Sequence, residues 1–135
     1  MTTFPHTSFF YLGLLVGLYF LLTLTVTTLR GITRVEFGSE PDSRLGRAVR
    51  AHAQFFEYVP VIAVMVIGLE WSGVADSSIA WLMGTLLLGR TAHAIGFLAP
   101  QHSLIYWSGR AIGNVTTLGL LATTSVWAVM RFTPA

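Results

Sequence analysis

From Ser8 to Leu29 the chain carries no charge in 22 consecutive positions, and about 20 apolar residues are enough to cross a bilayer as a helix. Polarity returns over residues 30–46, where Arg30, Arg34, Glu36, Glu40, Asp42 and Arg44 mix with Gly31, Gly38 and Pro41. That composition predicts a loop with a turn at Glu40-Pro41-Asp42. A second helix is predicted from Arg47 to Trp71. Its first half is polar on one side, its second half, Val59 to Leu69, is apolar, and Pro60 lies inside it. Gly73 to Ser78 reads as a short turn, residues 79–98 as a third helix, 100–108 as a loop and 109–131 as a fourth helix. The predicted elements are therefore helices at about 8–29, 47–71, 79–98 and 109–131, and no strand pattern competes with them. The fold class expected is all-α, an integral membrane four-helix bundle, in a single domain over residues 1–135.

Composition supports lipid as the solvent. The chain is 53% hydrophobic and 10% charged, against about 25% charged in soluble domains. Its mean hydropathy is +0.67. Such a chain cannot cover a water-facing surface. Met1 to Thr7 holds no Lys or Arg, and the apolar run that follows is too long for a signal peptide, so the first helix is expected to be retained. All eight basic residues are Arg. With no targeting stretch, this points to a bacterial inner membrane. A net charge of +2 is too small to imply nucleic acid.

Arginine placement sets an expected orientation. Arg30, Arg34, Arg44 and Arg47 flank the first loop and Arg110 the third, whereas the second loop has only Asp76. By the positive-inside rule, loops one and three face the cytoplasm and both termini face outside. The spacings Gly13/Gly17, Ala92/Gly96 and Gly109/Gly113 are expected to let helices approach closely.

Candidate chemistry comes from what interrupts the apolar helices. There is no cysteine, which excludes disulfides, thiolate zinc sites and a protein thiol nucleophile; any thiol chemistry must use a thiol carried by a ligand. No HExxH, His/Asp/Glu cluster, Gly-rich phosphate loop or GxSxG is present, and no metal site is expected. Arg47, Arg50, Gln54 and Glu57 follow one another at spacings of 3, 4 and 3, one stripe on one helix face. Tyr58 borders it. Arg90, His93 and Phe97 form a second stripe, and Arg110 with Asn114 a third. Ionisable groups within the membrane face cavities or other protein. Arg47 and Arg110 also read as snorkelling anchors, Arg50 with Glu57 as a structural ion pair, and His93 as a packing residue. Arg90 needs an anionic partner, for which Glu57 is better placed than Glu70. One Glu cannot balance Arg50, Arg90 and Arg110, so the surplus charge points to an anionic ligand in a cavity open to the cytoplasm.

The run Arg50-Ala51-His52-Ala53-Gln54-Phe55-Phe56-Glu57-Tyr58-Val59-Pro60 resembles the second-helix signature Arg-Ala-His/Gln-x-Asn-x-x-Glu-x-x-Pro of the MAPEG family, the membrane-associated proteins in eicosanoid and glutathione metabolism. Arg30 and Arg34, the set Arg90, His93 and Gly96-Phe97, and Arg110 resemble that family's positions in the other helices, in order. The resemblance implies a homotrimer with glutathione sites between subunits. It implies that Arg50, Gln54, Glu57 and Tyr58 bind glutathione as co-substrate, with Arg30, His52, Arg90, His93 and Arg110 completing the site, partly from the neighbour. Arg110 matches the residue expected to stabilise the thiolate. The family Asn is Gln54 here, and two helix-three tyrosines are replaced by His93 and Phe97, which makes His93 the expected hydrogen-bond donor to the thiol. Arginines and a Glu suit a tripeptide with two carboxylates and one ammonium, and a guanidinium favours the thiolate of a thiol whose pKa is about 8.5.

The expected function is thus a glutathione transferase or peroxidase acting on lipophilic electrophiles or hydroperoxides. The alternative is a non-catalytic lipid-binding or scaffold protein of the same fold, since the family contains one, the lipoxygenase-activating protein. A small anion channel would use the same arginine surplus and predicts an open pore.

Overall fold

The computed structural model describes residues 4–134. The chain forms α1 (His6–Thr33), α2 (Arg44–Trp71), α3 (Asp76–Leu98) and α4 (Leu104–Phe132), with no strand among the described residues. Each helix is longer than its sequence pattern predicts, and capping explains two of the extensions. Ser43 Oγ accepts from Gly46 N at 2.9 Å and Ser103 Oγ from Tyr106 N at 3.1 Å. A serine at this position satisfies one of the orphan amides of a helix start, so α2 and α4 begin well before Arg47 and Gly109. Pro60 lies within α2, which runs unbroken from Arg44 to Trp71.

The start of α1 is capped from elsewhere. Pro5 at its N-cap offers no side-chain acceptor. Instead Glu70, 7% exposed near the end of α2, accepts from Thr7 N at 2.9 Å and Ser8 N at 2.8 Å. The Ser8 hydroxyl donates to the same carboxylate. At the same end of α2, Arg131 Nη2 of α4 donates to Ser72 O at 2.5 Å. Gly73, at φ +89°, supplies the left-handed backbone that turns α2 into α3.

Helices α1, α2 and α4 are each long and apolar enough to cross a membrane. Helix α3 has 23 residues, about 35 Å at 1.5 Å per residue, so it matches them in reach. Arg90 and His93 lower its hydropathy, and it tolerates them because it packs against all three other helices. The protein is an all-α integral membrane bundle.

Helix α1 buries Ser8, Leu15, Leu22 and Leu29, one residue in seven, against α2 and α3. Its remaining faces are open, and a Cβ at Gly13 or Gly17 would meet nothing within 4 Å. The close approach expected at that pair is therefore not made within the chain. It is made between α3 and α4, the most extensive contact of the bundle. A Cβ at Gly96 would lie 2.8 Å from Arg110 N, and one at Gly109 2.8 Å from Gly96 Cα. The two backbones touch there, which places Arg110 directly beside Phe97.

Candidate functional site

The N-termini of α2 and α4, the C-terminus of α3 and the first loop meet at one end of the bundle. Between them lies a cleft of about 520 Å³ lined by Arg47, Arg50, Gln54, Phe97, Tyr106 and Arg110, with Asp42 on the loop side. Three arginines thus share the walls with one aspartate. The volume falls within the range of about 300–1,000 Å³ typical of small-molecule sites.

The walls are tied together by arginine. Arg47 Nε donates to Phe97 O at 3.2 Å and its Nη1 to Asp42 O at 2.7 Å, joining α2 to the end of α3 and to the first loop. Gln101 Nε2 donates to the same Asp42 carbonyl at 3.2 Å. The Phe97 carbonyl is one of the last four of α3, which have no partner within their own helix. Arg110 is held by rings: its Cζ lies 4.8 Å from the centroids of both Phe97 and Tyr106 and 5.8 Å from that of Trp107. Its Nη1 donates to Tyr106 Oη at 2.5 Å. Gln54 also borders the cleft, and its Oε1 is buried with no hydrogen-bond partner among the described residues.

Of the residues singled out from sequence, the structure brings Arg47, Arg50, Gln54, Phe97 and Arg110 into this cleft. The others lie elsewhere on the single chain. Arg90 is 3% exposed behind the cleft; its Nη1 donates to Gln54 O at 3.3 Å, its Nη2 to the Thr117 hydroxyl, and its Cζ lies 5.4 Å from the Tyr58 ring. The pairing of Arg90 with Glu57 expected from sequence is not formed, because Glu57 is on the exposed face of α2 while Arg90 points into the α2–α3–α4 core. His93 is 4% exposed, its ring 4.9 Å from Phe97 and packed against Gly113, and its Nε2 has no hydrogen-bond partner among the described residues. His52 stacks 4.7 Å from Tyr19 and reaches Thr23 Oγ1 at 3.2 Å, on the α1 side of α2. Arg30 Nη1 holds the first loop through Val35 O at 3.2 Å and Glu36 O at 2.8 Å.

The sequence pattern places Arg47 in the helix-two stripe, or as an anchor, and Phe97 in the helix-three stripe, but does not single out Tyr106. The signal for Tyr106 was present: it precedes Arg110 by four residues, the spacing of neighbours on one helix face.

The MAPEG family model matches residues 8–130. This chain belongs to the MAPEG family. Two curated relatives, both named inner membrane protein YecN and from two strains of Escherichia coli, are 35% identical over 83 residues, covering 61% of this chain and 60% of theirs. The match therefore spans less than two-thirds of those relatives. No solved structure matches the chain significantly.

Proposed function

We propose that this protein binds glutathione in the arginine cleft and activates it as a thiolate for attack on lipophilic electrophiles or hydroperoxides. The observation that carries the reading is the charge of the cleft: Arg47, Arg50 and Arg110 against the single carboxylate of Asp42, at one end of a membrane bundle. The two carboxylates of glutathione suit the guanidinium forks. Its ammonium suits Asp42. Arg110 stands where the sulfur's charge develops, and a cation at that point lowers the cost of the thiolate.

The sites are completed by neighbouring copies in a homotrimer. Glu57 is exposed on α2, about 20 Å along the helix from its start at 1.5 Å per residue. A carboxylate facing lipid costs about 2.5–3.5 kcal/mol, a cost removed when a second copy covers it. Glu57 and Tyr58 then meet the neighbour's cleft, with Arg30 and His52 supporting the interface. The cleft faces the cytoplasm of a bacterial inner membrane, where glutathione is supplied and lipophilic partners arrive laterally from the bilayer.

Isothermal calorimetry of the detergent-solubilised protein with glutathione tests the reading, followed by the ultraviolet absorbance of the thiolate. Binding with thiolate formation supports a transferase or peroxidase. Binding that never yields thiolate, even with a lipophilic electrophile present, supports the scaffold alternative. No binding in wild type refutes the assignment of glutathione to the cleft.

A further inference from the structure

The proposed chemistry needs a neutral donor at the sulfur as well as a cation, because a thiolate keeps its charge best when both face it. From sequence, that donor is expected to be His93. The structure turns His93 away from the cleft, 4% exposed and packed between Phe97 and Gly113. The cleft does hold one phenol, that of Tyr106. It lies one helical turn before Arg110 on α4, and its oxygen accepts from Arg110 Nη1 at 2.5 Å. Among the described residues that is the sole hydrogen bond of the hydroxyl, and in it Tyr106 Oη is the acceptor. A phenol also carries one O–H donor, which is left free for whatever fills the cleft. The guanidinium bond polarises that O–H and strengthens it as a donor.

We propose that Tyr106 is the catalytic residue that donates a hydrogen bond to the glutathione sulfur, held in place by Arg110. The proposal rests on the glutathione reading above. The S–H bond breaks with its electron pair staying on sulfur, and the proton passes to water in the open cleft. Tyr106 keeps its own proton and shares it with the thiolate, while Arg110 opposes the negative charge. The sulfur pair then forms the bond to the electrophilic carbon, and the leaving group departs with its bonding pair. The position of Arg110 is fixed by the three rings around it and by the glycine contact between α3 and α4, so donor and cation are preorganised before the ligand arrives.

The test is a pH titration of thiolate absorbance in detergent-solubilised protein saturated with glutathione, using S-methylglutathione as the blank. Wild type, Tyr106→Phe and His93→Gln are compared, with calorimetry for affinity. Tyr106→Phe is expected to keep glutathione affinity within about threefold and to raise the thiolate midpoint by about one pH unit, which is tenfold less thiolate below the midpoint. His93→Gln is expected to leave the midpoint in place. An unchanged midpoint in Tyr106→Phe, with wild type binding and ionising glutathione, overturns the role of Tyr106 and leaves the glutathione reading standing. A shift in His93→Gln alone overturns it in favour of the helix-three donor. Absence of glutathione binding in wild type overturns both readings together.

Discussion

Glu70 offers the most direct test of how this bundle is held together. Its carboxylate accepts from Thr7 N, Ser8 N and the Ser8 hydroxyl, across 62 or 63 residues of sequence. Helix α1 otherwise begins without a side-chain cap. Hydrogen bonds to a charged partner contribute about 1.5–3 kcal/mol each, whereas loss of an exposed N-cap costs about 0.5–2 kcal/mol because water replaces the acceptor. Glu70 is 7% exposed, so water replaces it poorly and the larger figures apply. Glu70→Ala is expected to destabilise the bundle by about 2–4 kcal/mol. Glu70→Gln keeps the shape but turns an NH₂ toward a donor, and is expected to cost about 1–3 kcal/mol. The assay is unfolding in mixed micelles against SDS mole fraction, followed by far-UV circular dichroism, with hydrogen exchange at the Thr7 and Ser8 amides as the local readout. Ser8→Ala adds a control: its effect should shrink in the Glu70→Ala background, because the two share one interaction. If both Glu70 variants unfold at the wild-type SDS fraction and the Thr7 and Ser8 amides exchange at unchanged rates, the capping argument is wrong.

The other predictions concern the core and the cleft. A Cβ at Gly109 would lie 2.5 Å from Ala92 O and 2.8 Å from Gly96 Cα; backbone atoms cannot rotate away, so Gly109→Val should destabilise by about 1–3 kcal/mol or more and reduce glutathione affinity, both readable in one protein preparation. Thr117→Val removes the hydroxyl that accepts from the buried Arg90 Nη2, and should lower the unfolding free energy by about 1–3 kcal/mol with little change in shape; wild-type stability in this variant would mean that Arg90 finds another acceptor. Arg50→Ala, in the cleft wall, should weaken glutathione at least about tenfold, the equivalent of about 1.4 kcal/mol. Arg30→Ala should instead loosen the first loop that Arg30 pins through Val35 O and Glu36 O, seen as faster proteolysis there. Glutathione affinity should also fall as salt rises from low to about 0.15 M ionic strength, where the Debye length is about 8 Å; a flat salt profile would argue against arginine recognition.

What the sequence determined by itself was the class of solvent, the number of helices and the choice of polar residues. An uncharged run from Ser8 to Leu29 and 10% charge overall leave lipid as the solvent, and backbone groups in lipid must be satisfied within a helix or closed barrel. The stripe Arg47, Arg50, Gln54 and Glu57 was legible because 3- and 4-residue spacings fall near one helical face whatever the tertiary structure; its first three members line one cleft, while Glu57 faces outward. Helix ends were less legible, because the caps that extend α2 and α4 are single serines in polar stretches, and the cap of α1 is a carboxylate from a different helix. Only the tertiary structure decided which polar residues meet. Arg90 and Glu57 look like partners along their helices, yet the rotation of α2 and α3 about their axes sends Glu57 outward and gives Arg90 the Thr117 hydroxyl and the Gln54 carbonyl. The same rotation buries His93, and the glycine contact between α3 and α4 draws Phe97 against Arg110. Periodicity fixes the angle between residues on one helix; the angle between helices is set by which small residues allow their backbones to touch.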